Sequence, residues 1–294
     1  MLTEQAPEEI LELRELEMPM ELRAKTVRIL NELKGYGKVI VAFSGGVDST
    51  LMASLAKMAL GRDAIAVTAQ SPSLATSELK EAKRLAKEIG IKHIVIKTDE
   101  LEDPNYSANP ANRCYFCKKE LGQKLTDLAR EMGGYELVDG TNADDLKGHR
   151  PGAAALTEKG VRRPLAKAGM AKDEVRQLAK VLGLSNHDKP SMPCLSSRVA
   201  YGELITPERL LRIERAETLI RSLTGVKELR VRDHGSIVRI EVGPKERRLF
   251  FDEKLLDRIS IDLHELGFVH VTLDMAGYRS GSMNEIQRVG KGAT

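Results

Sequence analysis

A five-residue apolar run, Val39-Ile40-Val41-Ala42-Phe43, breaks directly into Ser44-Gly45-Gly46-Val47-Asp48-Ser49-Thr50, after which Leu51, Met52, Leu55, Ala56, Met58 and Ala59 return at helical spacing. A short, largely β-branched run reads as a buried strand, and an apolar return every three to four residues reads as a helix. The two glycines therefore sit at a strand-to-helix turn. Lacking β-carbons, they let an anion approach the backbone, and the open amides of a helix start supply donors at the favourable end of its dipole. The pattern predicts a phosphate site on an α/β scaffold. A tight Gly-Gly turn with Asp48 and Ser49 serving only as helix caps is the plainer alternative.

The same alternation continues to about residue 185. After an acidic N-terminal arm and a helix over 22–33, strands read at 38–43, 64–69, 93–97 and 136–139 with helices between them. That order predicts a doubly wound parallel sheet. The helix from Ser77 carries Leu79, Ala82, Ala86 and Ile89 on one stripe and stops at Gly90; Val175, Leu178 and Leu182 before Gly183 repeat the arrangement. Both share Glu-x-x-x-Leu-Ala-Lys-x-x-Gly, which reads as common helix-ending grammar and not as an internal repeat. The stretch 185–201, with Pro190 and Pro193, interrupts the alternation. The boundary is placed there, giving a phosphate-loop domain over 1–189 and a smaller α+β domain over 190–294.

In the second domain Thr206-Pro207 opens a helix as cap and first-turn proline, with Leu210, Ile213, Ala216, Ile220 and Leu223 facing inward. A hairpin follows, 226–232 and 237–242 around Asp233-His234-Gly235, and alternation puts Leu229, Val231, Val238, Ile240 and Val242 on one face. Arg230, Arg232, Arg239 and Glu241 share the other. Three guanidiniums on one face suit a phosphate or carboxylate, while a solvated face with cross-strand ion pairs fits the spacing equally. A helix over 249–266 and a strand over 268–273 complete this domain.

Composition narrows the class. The chain has 294 residues, 41% hydrophobic and 30% charged, which fits an ordinary globular protein with room for two domains. No run approaches the ~18 apolar residues of a membrane span, and the first twenty residues are Glu-rich with Arg14 as their one cation, unlike a secretory signal. A cytoplasmic protein with no membrane partner is expected. Net charge is only +3, although basic residues crowd into 198–248, and with no Trp, five Phe and six Tyr the platform for stacking bases is thin. No nucleic-acid partner is expected.

Three cysteines stand out. Cys114 and Cys117 form a C-x-x-C in Asn112-Arg113-Cys114-Tyr115-Phe116-Cys117-Lys118, and Cys194 lies in Met192-Pro193-Cys194-Leu195-Ser196-Ser197-Arg198. An odd count argues against a disulfide framework. Four uses remain open: a redox pair, structural zinc with His187 or His149, ordinary packed thiols, and an iron-sulfur cluster whose three thiolates would leave one iron open.

The loop has neither the Gly-Lys-[Ser/Thr] ending of a Walker A motif nor a G-x-G-x-x-G. It resembles the SGGxDS loop of the PP-loop ATP pyrophosphatases, enzymes that split ATP between its α and β phosphates. With Asp139-Gly140-Thr141-Asn142-Ala143-Asp144-Asp145, Gly148-His149-Arg150-Pro151-Gly152, Arg163-Pro164-Leu165, the Cys194 motif and the tail Gly277-Tyr278-Arg279-Ser280-Gly281-Ser282-Met283-Asn284-Glu285, the chain resembles the LarE family. These are ATP-dependent sulfur transferases of nickel-pincer cofactor synthesis, and the likeness runs from the N-terminal helix to near residue 286.

The resemblance implies adenylation of a carboxylate of pyridinium-3,5-biscarboxylic acid mononucleotide, then replacement of its oxygen by sulfur. It implies that Ser44, Gly45, Gly46, Asp48, Ser49 and Thr50 hold the β and γ phosphates, with Asp48 positioning Mg²⁺. Cys194, Asp48 and Arg198 become the catalytic candidates. Arg230, Arg232, Glu217 and Glu241 become candidates for the mononucleotide, and Asn142 and Asp145 come with their motif. Members with all three cysteines hold a [4Fe-4S] cluster that carries a transferable sulfide, so Cys114, Cys117 and Cys194 are the expected ligands; members with one cysteine give up its own sulfur and leave dehydroalanine. Homo-oligomers, hexamers included, are implied as well. A tRNA thiolase of the same loop class, and a passive binder of ATP and zinc, are the competing functions.

Overall fold

The computed structural model describes residues 16–147, 151–279, 281 and 283. The acidic arm over 1–15, Gly148-His149-Arg150, and Ser280, Ser282, Asn284 and Glu285 of the tail motif lie outside the described residues. The chain forms two compact units, the first taking residues up to Ser71, Thr76–Thr98 and Cys114–Met192, the second Pro72–Ala75, Asp99–Arg113 and Pro193 onward.

In the first unit the elements run α1 (Met20–Tyr36), β1 (Val39–Ala42), α2 (Val47–Leu60), β2 (Ala64–Gln70), α3 (Thr76–Ile89), β3 (Lys92–Lys97), α4 (Arg113–Glu131), β4 (Glu136–Asp139), α5 (Pro151–Glu158) and α6 (Lys172–Val181). The four strands are parallel in the order β3-β2-β1-β4. Their run-on hydrophobicity has a direct cause, because both faces are covered. Val39, Val41, Ala66 and Val138 pack with Leu30, Leu51, Leu55 and Leu178 on one side, while Ile40, Ile65, Val67 and Leu137 pack with Leu121, Leu125 and Leu156 on the other. The doubly wound α/β sheet expected from sequence is present.

Strand order fixes where a ligand can sit. The chain leaves β1 toward β2 and β3, then returns on the opposite side of β1 as β4, so the carboxyl ends of β1 and β4 lie side by side with Ala42 in register with Asp139. Loops diverge there, and the crevice between them is the binding position of open α/β sheets.

The second unit is built on a three-stranded sheet, β5 (Leu229–His234), β6 (Ile237–Val242) and β7 (His270–Leu273), with β5 antiparallel and β7 parallel to β6. Two helices, α7 (Pro207–Thr224) and α8 (Glu253–Glu265), cover one face. Ala216, Ile220, Ile259 and Leu263 pack there on Leu229, Val231, Val238, Ile240 and Val242. Thr206 caps α7, its side chain accepting from the Arg209 amide, and Pro207 occupies the first turn. Two details differ from the sequence expectation. Asp233 and His234 end β5 instead of forming the turn, which tightens to Gly235-Ser236. Residues 247–250 form a short 3-10 turn, so α8 starts at Glu253 behind its Asp252 cap.

Candidate functional site

The loop after β1 takes the shape its glycines allow. Gly45 has φ +72, and a β-carbon there would come within 3.1 Å of the Ala82 backbone. Gly46 is extended and precedes α2 with no side-chain cap, so the first-turn amides of α2 keep their donors for a guest. Within the loop Ser49 Oγ donates to the Gly46 carbonyl at 3.0 Å, lies 3.1 Å from Ser44 Oγ and accepts from the Ser44 amide at 3.2 Å. The two hydroxyls thus brace the turn from inside, and Ser49 and Thr50 are buried.

The loop after β4 closes on it. A β-carbon on Gly140 would stand 2.6 Å from the Ser49 amide, so glycine is needed for the two loops to meet. Asn142, buried, accepts from the amides of Asp144 and Asp145 through Oδ1 and donates from Nδ2 to Asp48 Oδ1 at 3.0 Å. Asp145 accepts in return from the Asn142 amide. Asp144 accepts from the Lys172 amide at 2.8 Å and places the start of α6, from which Lys172 Nζ reaches Asp48 Oδ2 at 2.5 Å. Asn186 donates to the Gly45 carbonyl and to Thr50 Oγ1, and Lys189 pairs with Glu78 at 2.8 Å beside the same carbonyl. Lys172, Asn186 and Lys189 are additions to the sequence candidates. The one available signal was a lysine opening an amphipathic helix.

Two other sequence motifs of the first unit make contacts of their own. Arg163 lies 3.6 Å from Asp139 and donates to the Ala153 carbonyl, tying the end of β4 to α5, and Gly152 packs on the backbone of Cys114. Cys114 and Cys117 occupy the first turns of α4, three residues apart and so on one face. Cys114 is exposed and Cys117 half-buried.

In the second unit Cys194 is exposed at the head of a 3-10 turn over Leu195–Arg198. Its carbonyl accepts from Ser197 Oγ and from Arg198 Nη1, and the Pro193 carbonyl accepts from the same nitrogen. Arg198, 1% exposed, turns its other nitrogens to Glu217 at 2.9 and 3.3 Å.

A family model for NAD synthase matches residues 21–111. An uncharacterised protein of Synechocystis is 47% identical over 85% of this chain and 92% of its own length. The pyridinium-3,5-bisthiocarboxylic acid mononucleotide synthase of Lactiplantibacillus plantarum is 38% identical over 90% of this chain and 95% of its own. The chain belongs to the LarE family.

As a LarE family member it is an ATP-using enzyme of the PP-loop class. More distantly, a glutamine-hydrolysing GMP synthase polypeptide of Pyrococcus abyssi is 30% identical over 66% of this chain and 67% of its own length. Against this family background the second face of the β5–β6 hairpin stands out, because it is buried. Arg230 and Arg232 are 3% and 5% exposed and Glu241 not at all. Arg232 holds Glu241 at 2.8 Å and the Ser197 carbonyl at 3.1 Å, while Arg239 takes the second Glu241 oxygen at 3.0 Å. Arg230 lies 4.8 Å over the Tyr278 ring and donates to the Leu229 carbonyl.

Burial alone would raise the Glu217 carboxyl, yet Arg198 and Arg221 hold it below the ordinary carboxylate value. Burial, with Arg198 beside it, pulls the Arg230 guanidinium below its usual value, although arginine stays charged at neutral pH. The face is therefore a desolvated, cation-rich lattice. Among the described residues no three His, Cys, Asp or Glu side chains gather closely enough to hold a metal ion, and no helix is long and apolar enough to cross a membrane.

Proposed function

We propose that the protein adenylates a carboxylate of pyridinium-3,5-biscarboxylic acid mononucleotide with ATP and exchanges its oxygen for sulfur. The observation that carries this is the donor-lined turn Ser44–Thr50, closed by Gly140 and Asn142 at the sheet's switch point, in a chain whose relative is named for the bisthiocarboxylic product. A carboxylate oxygen attacks the α-phosphorus and pyrophosphate leaves, giving an acyl-adenylate. A carboxylate oxygen is a poor leaving group, and adenylation lets it depart as part of AMP. Sulfide then attacks the acyl carbon, AMP leaves, and a thiocarboxylate remains.

The residues take the following parts. The turn Ser44–Thr50 holds the β and γ phosphates, Lys172 and Lys189 offset their charge, and Asp48 orients Mg²⁺ through oxygen ligation. Arg230 and Arg232, kept in place with Glu217 and Glu241, seat the mononucleotide. Cys194 and Arg198 belong to the sulfur step. By chemistry the thiols suit iron: Cys114 and Cys117 share a face at a helix start, where the dipole favours thiolate, and Cys194 is accessible. A four-iron cluster on three thiolates, when bound, keeps one iron open for an external ligand such as sulfide.

Protein prepared without oxygen is expected to be brown, to hold about four irons per chain and to keep Cys194 intact after turnover. Colourless, active protein whose Cys194 becomes dehydroalanine overturns the cluster and makes that residue the sulfur donor.

A further inference from the structure

Gly45 bends the turn after β1, and its carbonyl is gripped from the buried side. After α6 the chain makes a tight run over 184–189, in which the His187 amide donates to the Leu184 carbonyl and the Lys189 amide to that of Asn186. Arg176 of α6 donates to the His187 and Lys189 carbonyls at 3.2 and 3.1 Å, and Ser185 is bound to Glu88 of α3. This braced run presents Asn186, which is buried. Nδ2 has two hydrogens to give, and two acceptors take them: the Gly45 carbonyl at 3.2 Å and Thr50 Oγ1, in the first turn of α2, at 3.0 Å. Lys189 Nζ stands 3.4 Å from the same carbonyl.

A planar trans peptide points its carbonyl and the following N–H in opposite directions. Fixing the Gly45 carbonyl on the buried side therefore turns the Gly46 N–H to the open side, where Ser44 is exposed and its Oγ lies 3.4 Å away. Glycine at φ +72 suits the bend, but the same freedom would let this peptide rotate without an outside hold. Asn186 Oδ1 is buried and meets no donor among the described residues. A buried acceptor left unpaired costs stability, so packing does not account for an amide here. The two bonds from its nitrogen do.

We infer that Asn186 is a positioning residue for ATP: it locks the Gly45–Gly46 peptide so that the Gly46 amide donates to a phosphate oxygen of the nucleotide. The inference rests on the reading of Ser44–Thr50 as a phosphate turn proposed above. Asn186 acts through one peptide plane, from the side away from the nucleotide.

Of the 24 glycines only Gly45-Gly46 and Gly133-Gly134 are adjacent. Glycine labelled at both its carbonyl carbon and its nitrogen therefore gives two carbon-coupled glycine amide signals in nuclear magnetic resonance, those of Gly46 and Gly134. Gly134 precedes β4, at the far end of that strand from Asp139, and serves as the internal control. With ATP and Mg²⁺ the wild-type Gly46 proton is expected to move downfield as it meets a charged acceptor, and Gly134 to stay. In Asn186→Leu, close to the amide in shape, that shift should be lost, ATP affinity should fall roughly tenfold, and the melting temperature should hold. Asn186→Ala serves the same comparison if Asn186→Leu does not fold. A variant with the wild-type shift and affinity overturns the positioning role alone. Wild-type protein that binds ATP with Gly46 unmoved overturns the phosphate assignment of the turn and the role with it.

Discussion

Lys172 decides what charge the phosphate turn shows its ligand. Nζ lies 2.5 Å from Asp48, whose other oxygen is held by Asn142, so without nucleotide the lysine and the aspartate offset each other. Under the proposed function, phosphate gives the lysine a second anion and leaves Asp48 for Mg²⁺. In Lys172→Met, ATP affinity should drop about 10- to 100-fold, about 1.4–2.8 kcal/mol, as read by calorimetric titration. Melting should change little, because the lysine side chain is 37% exposed and such pairs contribute little to stability. Asp48 was legible in the sequence because it belongs to a local motif. Lys172 was not, since it lies 124 positions away and helical spacing reports the buried stripe of α6, not which outward side chain meets a loop.

The β5–β6 hairpin separates what is local in a strand from what is not. Period-2 alternation gave the two faces of β5 and β6 correctly, because side-chain direction in a strand is local. Solvation of the Arg face was not local. The 3-10 turn over Leu195–Arg198 and helix α7 bring Arg198 and Glu217 against it, and those contacts span 14 to 35 residues. What reads from spacing as either an anion seat or a wet ion-pair ladder is a buried lattice in which each carboxylate is held by more than one donor. Arg230→Ala should weaken the mononucleotide about tenfold or more, the scale of a lost charged hydrogen bond, and leave ATP affinity within about twofold. Unchanged mononucleotide affinity in the same titration would make Arg230 a scaffold residue.

For the whole molecule, the parallel sheet and the C-terminal hairpin followed from periodicity. The allotment of 72–75 and 99–113 to the second unit did not. Nothing in their composition marks them, since their partners, among them Leu195 for Ser73 and Ala200 for Asn109, lie about a hundred residues on.

Both units carry groups that make stability depend on acid. Burial shifts His93 and His234 downward, with Lys83 and Arg239 adding to it. The unfolded chain therefore takes up those protons first, and stability should start to fall below about pH 6.5. Glu217 and Asp233 are depressed despite burial, the latter by Arg212 and Arg209. Their stabilisation is present above the ordinary carboxylate range and lost on passing down through it, so thermal scans should steepen below about pH 4.5. A melting temperature flat from pH 7 to 4 would contradict this assignment.

On the function proposed above, the turn after β1 serves carboxylate activation. This is tested most directly by pyrophosphate release from ATP with and without pyridinium-3,5-biscarboxylic acid mononucleotide. Release that requires the mononucleotide, with AMP formed in equal amount, is expected; release indifferent to it, or none in its presence, would rule out carboxylate activation at this turn.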